Sequence, residues 1–249
     1  MTFLDQLALF APLDALAVAL MFTAWAVLGW MIESNRLQRP SVTMLMITFR
    51  RDWMREMVTR QPRIFDATIL SSLRQGTNFL ASASMIALGG LLALIGNSER
   101  LLGVAEDLTL AGTPTLVIEI KLMATGIFLL HAFLKFVWSN RLFGYCAVLM
   151  AAVPNDPDDH RTMPRAMQVA EVNIRAAFNF NRGLRALYFS LGSLAWLLGP
   201  VALLCGTAAV SYMIWSRDFA SHSRRILLHP PQASPDPLAQ MSDDTAPGA

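Results

Sequence analysis

The chain has 249 residues, of which 54% are hydrophobic and 15% are charged, and its mean hydropathy is +0.43. Soluble domains carry roughly 25% charged residues, so this composition argues against a soluble protein and for a membrane protein. The formal net charge is only +2, which provides no overall field for binding nucleic acid. The apolar residues occur in blocks, and these blocks predict the elements that follow.

The first predicted transmembrane span covers about residues 13–32 and begins after Pro12. Glu33 and Arg36 follow at once, which places this end of the span in headgroups or water. No Lys or Arg precedes the span, whereas a secretory signal starts with a positive segment. We therefore expect a span that is retained.

The connection 33–76 is the most basic part of the chain. Its arginines are Arg36, Arg39, Arg50, Arg51, Arg55, Arg60, Arg63 and Arg74. Met46, Phe49, Trp53 and Met57 recur at helical spacing, which predicts an amphipathic helix in the membrane plane or, alternatively, packed on the ends of the spans. The residues expected to contact lipid headgroups or a partner are Arg50, Arg51, Trp53, Arg55, Arg60 and Arg63.

A second helix is predicted to begin near Ile64, after Pro62, and to continue into the second span, about residues 77–96. Small residues four positions apart favour close helix packing in membranes. The residues expected to pack in this way, or to bend the last span, are Ala83, Ala87, Gly89, Ala93, Ala195, Gly199 and Pro200.

The third span, about residues 115–137, carries ionisable side chains that bare lipid would penalise. These are Glu119, Lys121, His131 and Lys135. The last three share one stripe of a helix. Lys121, with Asp14 or Glu119, could form a polar pathway for a proton, an ion or a small anion. The favoured alternative is structural: these groups extend to the headgroups or tie two helices together.

The apolar run 143–153 is too short to cross a bilayer, so we expect it to continue the third span and bury itself against the bundle. The basic helical connection 138–183 is predicted to end in a turn-like hinge at Asn179, Asn181 and Gly183. A fourth span follows over about residues 184–214, kinked at Gly199-Pro200. The two cysteines, Cys146 and Cys205, have the apolar surroundings of small buried thiols.

Together these segments predict an all-α, integral membrane four-transmembrane-helix bundle with amphipathic cytoplasmic helices in residues 1–217, followed by a polar, Pro-rich tail, 218–249. Both basic connections carry many arginines, whereas the connection between the second and third spans carries only Arg100. The positive-inside rule then places both basic connections in the cytoplasm and both termini in the periplasm. Arg217, Arg224 and Arg225 disagree with this orientation.

No known catalytic or nucleotide-binding motif occurs: the sequence has no CxxCH, Walker loop, GxSxG or HExxH. Only one histidine, His131, lies in a predicted span, whereas a membrane haem needs two facing axial ligands. The acidic loop PNDPDDH, 154–160, lacks the spacing of a calcium loop. We therefore expect no catalytic residues, no cofactor and no metal.

Three runs of the sequence resemble a known family. They are RRDWMREMVTRQPRIFDATILSSLRQGTNFLASASMIALGGLLALIG, KFVWSNRLFGYCAVLMAAVP and NRGLRALYFSLGSLAWLLGP. In this order they resemble the uncharacterised bacterial inner-membrane proteins of domain-of-unknown-function family 599, over about residues 13–217. The resemblance implies a four-span inner-membrane protein and supplies no activity.

The leading functional hypothesis is a non-catalytic membrane subunit or scaffold within a larger complex. Its expected partners are membrane lipids and other membrane protein subunits, bound through the basic helices, the span faces or the tail, and no nucleic acid. The alternatives are a small transporter or channel that uses the polar face of the third span, and an enzyme that acts on lipid headgroups at the cytoplasmic arginines.

Overall fold

A computed structural model describes residues 10–36, 39–97 and 114–229, and these residues form helices without any strand. The helices are α1 (Pro12–Glu33), α2 (Val42–Thr59), α3 (Ile64–Gly96), α4 (Thr115–Ala151), α5 (Thr162–Ser193), a 3-10 helix (Leu194–Leu198), α6 (Pro200–Phe219) and α7 (His222–Leu228). The all-α prediction is confirmed. Arg100 and the tail from residue 230 onward lie outside the described residues.

Three helices, α1, α3 and α4, are long and apolar enough to cross a membrane, which indicates a membrane protein. Their outer faces expose large apolar side chains such as Leu16, Ile86 and Ile127, as contact with lipid requires. With 33 and 37 residues, α3 and α4 are about 50 and 56 Å long. Both therefore extend well beyond a hydrocarbon core of about 30 Å.

The extensions of α3 and α4 pack with α2 and the first half of α5 in a second helical layer. Its buried core consists of Met54, Met57, Val58, Leu70, Leu142, Phe143, Cys146, Met150, Val153, Ala166, Val169, Ala170 and Ala176. The run 143–153 thus contributes to this core as expected, although Tyr145 and Val148 remain exposed. We call this layer, together with the adjoining ends of α1 and α6, the arginine-rich end of the molecule.

Aromatic side chains form the centre of the bundle between α1, α4 and α5. Phe128 stacks on Phe22 and Phe189, with ring centroids 5.0 and 5.9 Å away, and meets Trp25 edge to face at 5.6 Å. Phe128 and Phe189 are each only 1% exposed. This stack fills the middle of the bundle, between its two polar ends.

Helix α5 continues without interruption through the hinge predicted at residues 179–183, so that prediction is wrong. The Asn179 side chain donates to the Arg175 carbonyl one turn earlier, at 2.8 Å, which satisfies a polar group inside the helix. Gly183 lies directly against the Phe136 ring, and a Cβ there would come within 2.9 Å of it. The glycine permits close packing of α5 on α4 at this point.

The chain reverses at Gly199-Pro200, so the prediction of one kinked fourth span over 184–214 is also wrong. Gly199 has φ +118°, a conformation that favours glycine, and Pro200 opens the new helix α6 at its first position. Helices α5 and α6 then pack antiparallel, since Arg217 Nη1 donates to the Tyr188 hydroxyl at 2.9 Å. In one kinked helix these two residues would lie about 40 Å apart.

This reversal brings the end of α6 back to the arginine-rich end. Asp218 accepts a hydrogen bond from Thr43 Oγ1 at 3.1 Å, and Arg224 of α7 donates to the Pro40 carbonyl at 2.9 Å. The prediction that residues after 217 lie opposite the basic connections is therefore wrong for residues 218–229. With this reversal, Arg217 and Arg224 join the other arginines.

The packing face of α3 differs from the one that the small residues predicted. Ala83, Ala87, Gly89 and Ala93 are exposed, and the buried positions of the membrane part of α3 are Thr77, Ala81, Ser84 and Leu91. A Cβ on Gly89 would meet no described atom within 4 Å. Cys205 is likewise exposed on α6, contrary to prediction, whereas Cys146 is buried.

Close packing of small residues occurs instead in the α5–α6 hairpin. A Cβ on Gly206 would lie 2.9 Å from the Gly192 carbonyl oxygen and 3.1 Å from the Ala195 Cβ. Backbone cannot move away as a flexible side chain would. This close approach of the two helices therefore requires glycine, which has no side chain, at position 206. Ala195 contributes to this packing, whereas Gly199, four positions later, lies in the turn with no described atom near its Cβ position.

We expect Gly206→Ala to lower the free energy of unfolding by about 1–3 kcal/mol, because the added methyl group overpacks the hairpin. Gly89→Ala is the matched control. It should be neutral or stabilising by up to about 1 kcal/mol, since alanine favours helix and meets no neighbour. SDS titration of the purified protein in mixed micelles, followed by tryptophan fluorescence, measures both. Equal stabilities of the two variants would contradict the hairpin packing.

Candidate functional site

The five residues predicted to form a polar pathway occupy two separate places. At the end opposite the arginines, Asp14 Oδ1 accepts a hydrogen bond from Trp196 Nε1 at 2.7 Å, and its other oxygen accepts from the Ala11 amide. The Lys121 ammonium lies 5.8 Å from the Trp196 ring centroid, and the side chain is buried. Glu119 lies on the same part of α4 and is half-buried.

His131 and Lys135 lie toward the arginine-rich end. They line a cavity of about 420 Å³ together with Glu33, Arg182 and Arg185. His131 meets the Trp25 ring edge to face at 5.1 Å. Ten residues of helix, about 15 Å, separate it from Lys121, and the buried Phe128 stack lies in that interval. The structure therefore does not bring the predicted pathway residues together.

Glu33 forms an ion cluster with two arginines of α5. Its carboxylate oxygens each accept a hydrogen bond from Arg182 Nε at 3.0 Å, and Arg185 also pairs with it. The Glu33 and Arg185 side chains are only 17% and 8% exposed. The hydrogen bonds that Arg182 donates to Glu33 raise the pKa of Arg182, which keeps this guanidinium ionised. It fixes the end of α1 to the middle of α5.

The sequence offered no direct signal for this cluster, because Glu33 lies about 150 positions from both arginines. Taken alone, Glu33 marked the end of the first span. Tyr188 belongs to the paired helices of the hairpin, where its hydroxyl accepts a hydrogen bond from Arg217.

All six residues predicted to contact headgroups or a partner form bonds within the chain. Arg51 pairs with Glu171, Arg55 with Asp52, and Arg60 with the fully buried Asp66. Trp53 Nε1 donates to that same Asp66 at 2.7 Å. Arg63 donates to the carbonyls of Val153 and Pro154, at 2.8 Å each. These side chains hold α2, α3 and the loop after α4 together.

Arg50 of this set lines a cavity together with other arginines. It donates to Asn173 Oδ1, and no described carboxylate lies within 4 Å of its guanidinium. Burial lowers its pKa. It lines a cavity of about 310 Å³ between α2, α5 and α6, which we call the arginine cavity. The other charged residues of this cavity are Arg185, Arg217 and Asp218.

A third feature is a groove between the extensions of α3 and α4, with a cavity of about 280 Å³. We call it the α3–α4 groove. Its walls are Arg63, Ala67, Leu70, Ser71, Arg74, Ala147, Met150, Ala151 and Asn155. Ala67, Ser71, Ala147 and Ala151 contribute small side chains to the groove. Arg74 has no carboxylate within 4 Å among the described residues.

The acidic loop 154–160 forms hydrogen bonds with residues at the start of α5. Asp159 accepts hydrogen bonds from the amide and the side chain of Arg161, which hold its pKa well below the usual range. The Thr162 hydroxyl donates to the Asp156 carbonyl at 2.7 Å. Within the described ranges, no group of three or more His, Cys, Asp or Glu side chains is placed to hold a metal.

We expect Glu33→Gln to lower the free energy of unfolding by about 3–5 kcal/mol, because it leaves the buried Arg185 without a carboxylate. Glu171→Gln is the matched control: it breaks an exposed pair with Arg51 and should cost about 0–1 kcal/mol. The same SDS titration measures both. Similar small losses in the two variants would show that the Glu33 cluster does not support the fold.

One known protein family matches this chain. A family model described as "Protein of unknown function, DUF599" matches residues 16–223. Neither a curated protein nor a solved structure matches the chain. Any function must therefore be argued from the residues themselves.

Proposed function

Because the chain belongs to the DUF599 family of proteins of unknown function, we propose its function from the structure: it is a non-catalytic integral membrane subunit that binds a partner subunit. The proposed location is the bacterial inner membrane, with the arginine-rich end in the cytoplasm. The observation that carries this proposal is the α3–α4 groove, an exposed surface beyond the expected hydrocarbon boundary.

The position of the groove argues for a protein partner rather than lipid. Lys135 and Arg182, which line the same cavity, mark the charged boundary of the bundle. Val148 lies thirteen residues further along α4, about 20 Å beyond that boundary. Val148 and Ile64, on the two helices that form the groove, are each 71% exposed. Apolar surface exposed at this distance from hydrocarbon is typical of a protein interface.

The chemistry of the groove favours one kind of occupant, a helix of another membrane subunit. Ala67, Ser71, Ala147 and Ala151 present small side chains, which let a second backbone approach closely. Arg74 lines the same groove without a described carboxylate nearby, so we expect the partner helix to carry an acidic residue there.

The alternatives have weaker support. A transport pathway along the third span would have to pass the buried Phe128 stack, which lies between Lys121 and His131. An enzyme at the basic helices would need arginines free to hold substrate. Most of those predicted for that role are bonded within the chain, as are Arg51, Arg60 and Arg63.

The orientation rests on the distribution of arginines. With the α5–α6 reversal, Arg217 and Arg224 lie at the same end as α2, so the described arginines favour one side. The positive-inside rule places that side in the cytoplasm. The start of α1 is then periplasmic, and residue 229 is cytoplasmic. Residues 184–214 form a hairpin that enters from the cytoplasmic side, reaches Asp14 through Trp196 and returns.

Single-cysteine labelling tests this topology in the full chain, in a background of Cys146→Ala and Cys205→Ala. We expect an impermeant maleimide to label Ala11→Cys from the periplasm of intact cells. Asp158→Cys and Ser223→Cys should react only after the inner membrane is opened, because both lie at the arginine-rich end. Periplasmic labelling of Ser223→Cys would contradict the reversal at Gly199-Pro200 and support a fourth span that crosses the membrane once.

A substitution on α4 beside the groove tests the partner, because Val148 adjoins the lining residue Ala147. We expect Val148→Asp to reduce the partner subunit that co-purifies from native membranes by about tenfold, an interface loss of roughly 1.4 kcal/mol. Met163→Asp makes the same change at an exposed residue of α5 away from the groove and should leave the yield unchanged. Quantitative mass spectrometry of gently solubilised, tagged protein measures both. A monodisperse, partner-free wild-type protein would contradict the proposal.

A further inference from the structure

The arginine cavity holds more positive charge than the described chain neutralises. A guanidinium has five N–H donors, and Arg50 uses the Asn173 oxygen as its acceptor. Arg217 donates to the Tyr188 hydroxyl, also a neutral group. Arg50 is partly buried with only a neutral partner, which is unfavourable for its charge, so an anion in this cavity would be stabilised.

The shape of the cavity suits an anion that also carries an apolar part. Its volume of about 310 Å³ corresponds to about ten water molecules at roughly 30 Å³ each, which is ample for a phosphate group. Met46, Ile47 and Phe178 line it beside the arginines. It lies next to the Glu33–Arg185 pair, where α1 ends, and therefore at the boundary of the bundle.

The cavity contains one carboxylate against three guanidiniums. The carboxylate is that of Asp218, and the guanidiniums are those of Arg50, Arg185 and Arg217. Glu33 offsets Arg185 from the neighbouring cavity. The positive charges of the cavity therefore outnumber the acids beside them even when Glu33 is counted.

We propose that the arginine cavity binds a phosphate group, held by the guanidiniums of Arg50, Arg185 and Arg217. The planar, two-pronged guanidinium matches phosphate oxygens in pairs, which explains why arginine lines the cavity. The phosphate belongs to the headgroup of an anionic phospholipid or is free in solution. The proposal uses residues outside the α3–α4 groove, so it and the proposed partner interface can fail independently.

Two arms of one experiment distinguish these sources, using the full chain in detergent. In the first, native mass spectrometry follows binding of phosphatidylglycerol. In the second, thermal unfolding is compared in inorganic phosphate and in chloride at equal ionic strength. We expect Arg217→Gln to weaken binding about tenfold, the usual effect of losing one charge-assisted hydrogen bond. Arg50→Gln combined with Arg217→Gln should weaken it further.

The double variant Arg51→Gln with Arg55→Gln is the matched control, since it removes the same charge from α2 residues that pair outside the cavity. Loss of phosphatidylglycerol in the cavity variants alone identifies a lipid headgroup. Loss of phosphate-dependent stabilisation alone identifies free phosphate. Equal responses of cavity and control variants in both arms would overturn the proposal. Arg217 is exposed, so Arg217→Gln alone decides the outcome if the double cavity variant aggregates.

Discussion

The Glu33 cluster is the interaction on which the rest of the architecture depends. It lies where α1 leaves the apolar part of the bundle, and it joins that point to Arg182 and Arg185 in the middle of α5. The Glu33–Arg185 pair is little exposed, so loss of either partner would strongly destabilise this arrangement of helices. Above the cluster lies the aromatic stack of the spans, and below it lies the arginine-rich layer.

The arginines of that layer show how charge can serve structure at a membrane surface. Arg60 and Trp53 both bond to the buried Asp66, and Arg63 satisfies carbonyls just after α4. Such bonds compensate polar groups that burial would otherwise leave unpaired. The arginines of this end of the molecule thus fall into two groups: those used within the fold, and the few, such as Arg50 and Arg217, that line the arginine cavity.

Sequence patterns predicted the helices that depend only on residues close together in the chain. Apolar runs and helix length gave α1, α3 and α4, and the run 143–153 gave the extension of α4 beyond the boundary. The Gly199-Pro200 pair correctly marked a break in the helix, but the break was interpreted as a kink. The same two residues occur at a kink and at a chain reversal, so they do not distinguish the two. Contacts across the hairpin, such as the packing of Gly206 on Gly192 and the Arg217–Tyr188 hydrogen bond, distinguish them.

Contacts between residues far apart in the sequence could not be predicted, for the same reason. The spacing of Ala83, Ala87 and Gly89 is as regular as that of a packing face, yet the neighbouring face of α3 is the buried one. Likewise the stripe of Lys121, His131 and Lys135 follows from helix geometry. The bulky Phe128 that lies between its two ends could not be distinguished, in sequence, from a residue facing lipid.

The helices α3, α4 and α5 pass from the bundle into the arginine-rich layer without a loop at the boundary. A continuous helix bends only at the expense of its backbone hydrogen bonds, so these three act as rigid levers. If a thinner bilayer tilts α4 by about 10°, a point about 20 Å beyond the boundary moves by roughly 3–4 Å. A partner seated on the α3–α4 groove would therefore sense the thickness of the surrounding membrane.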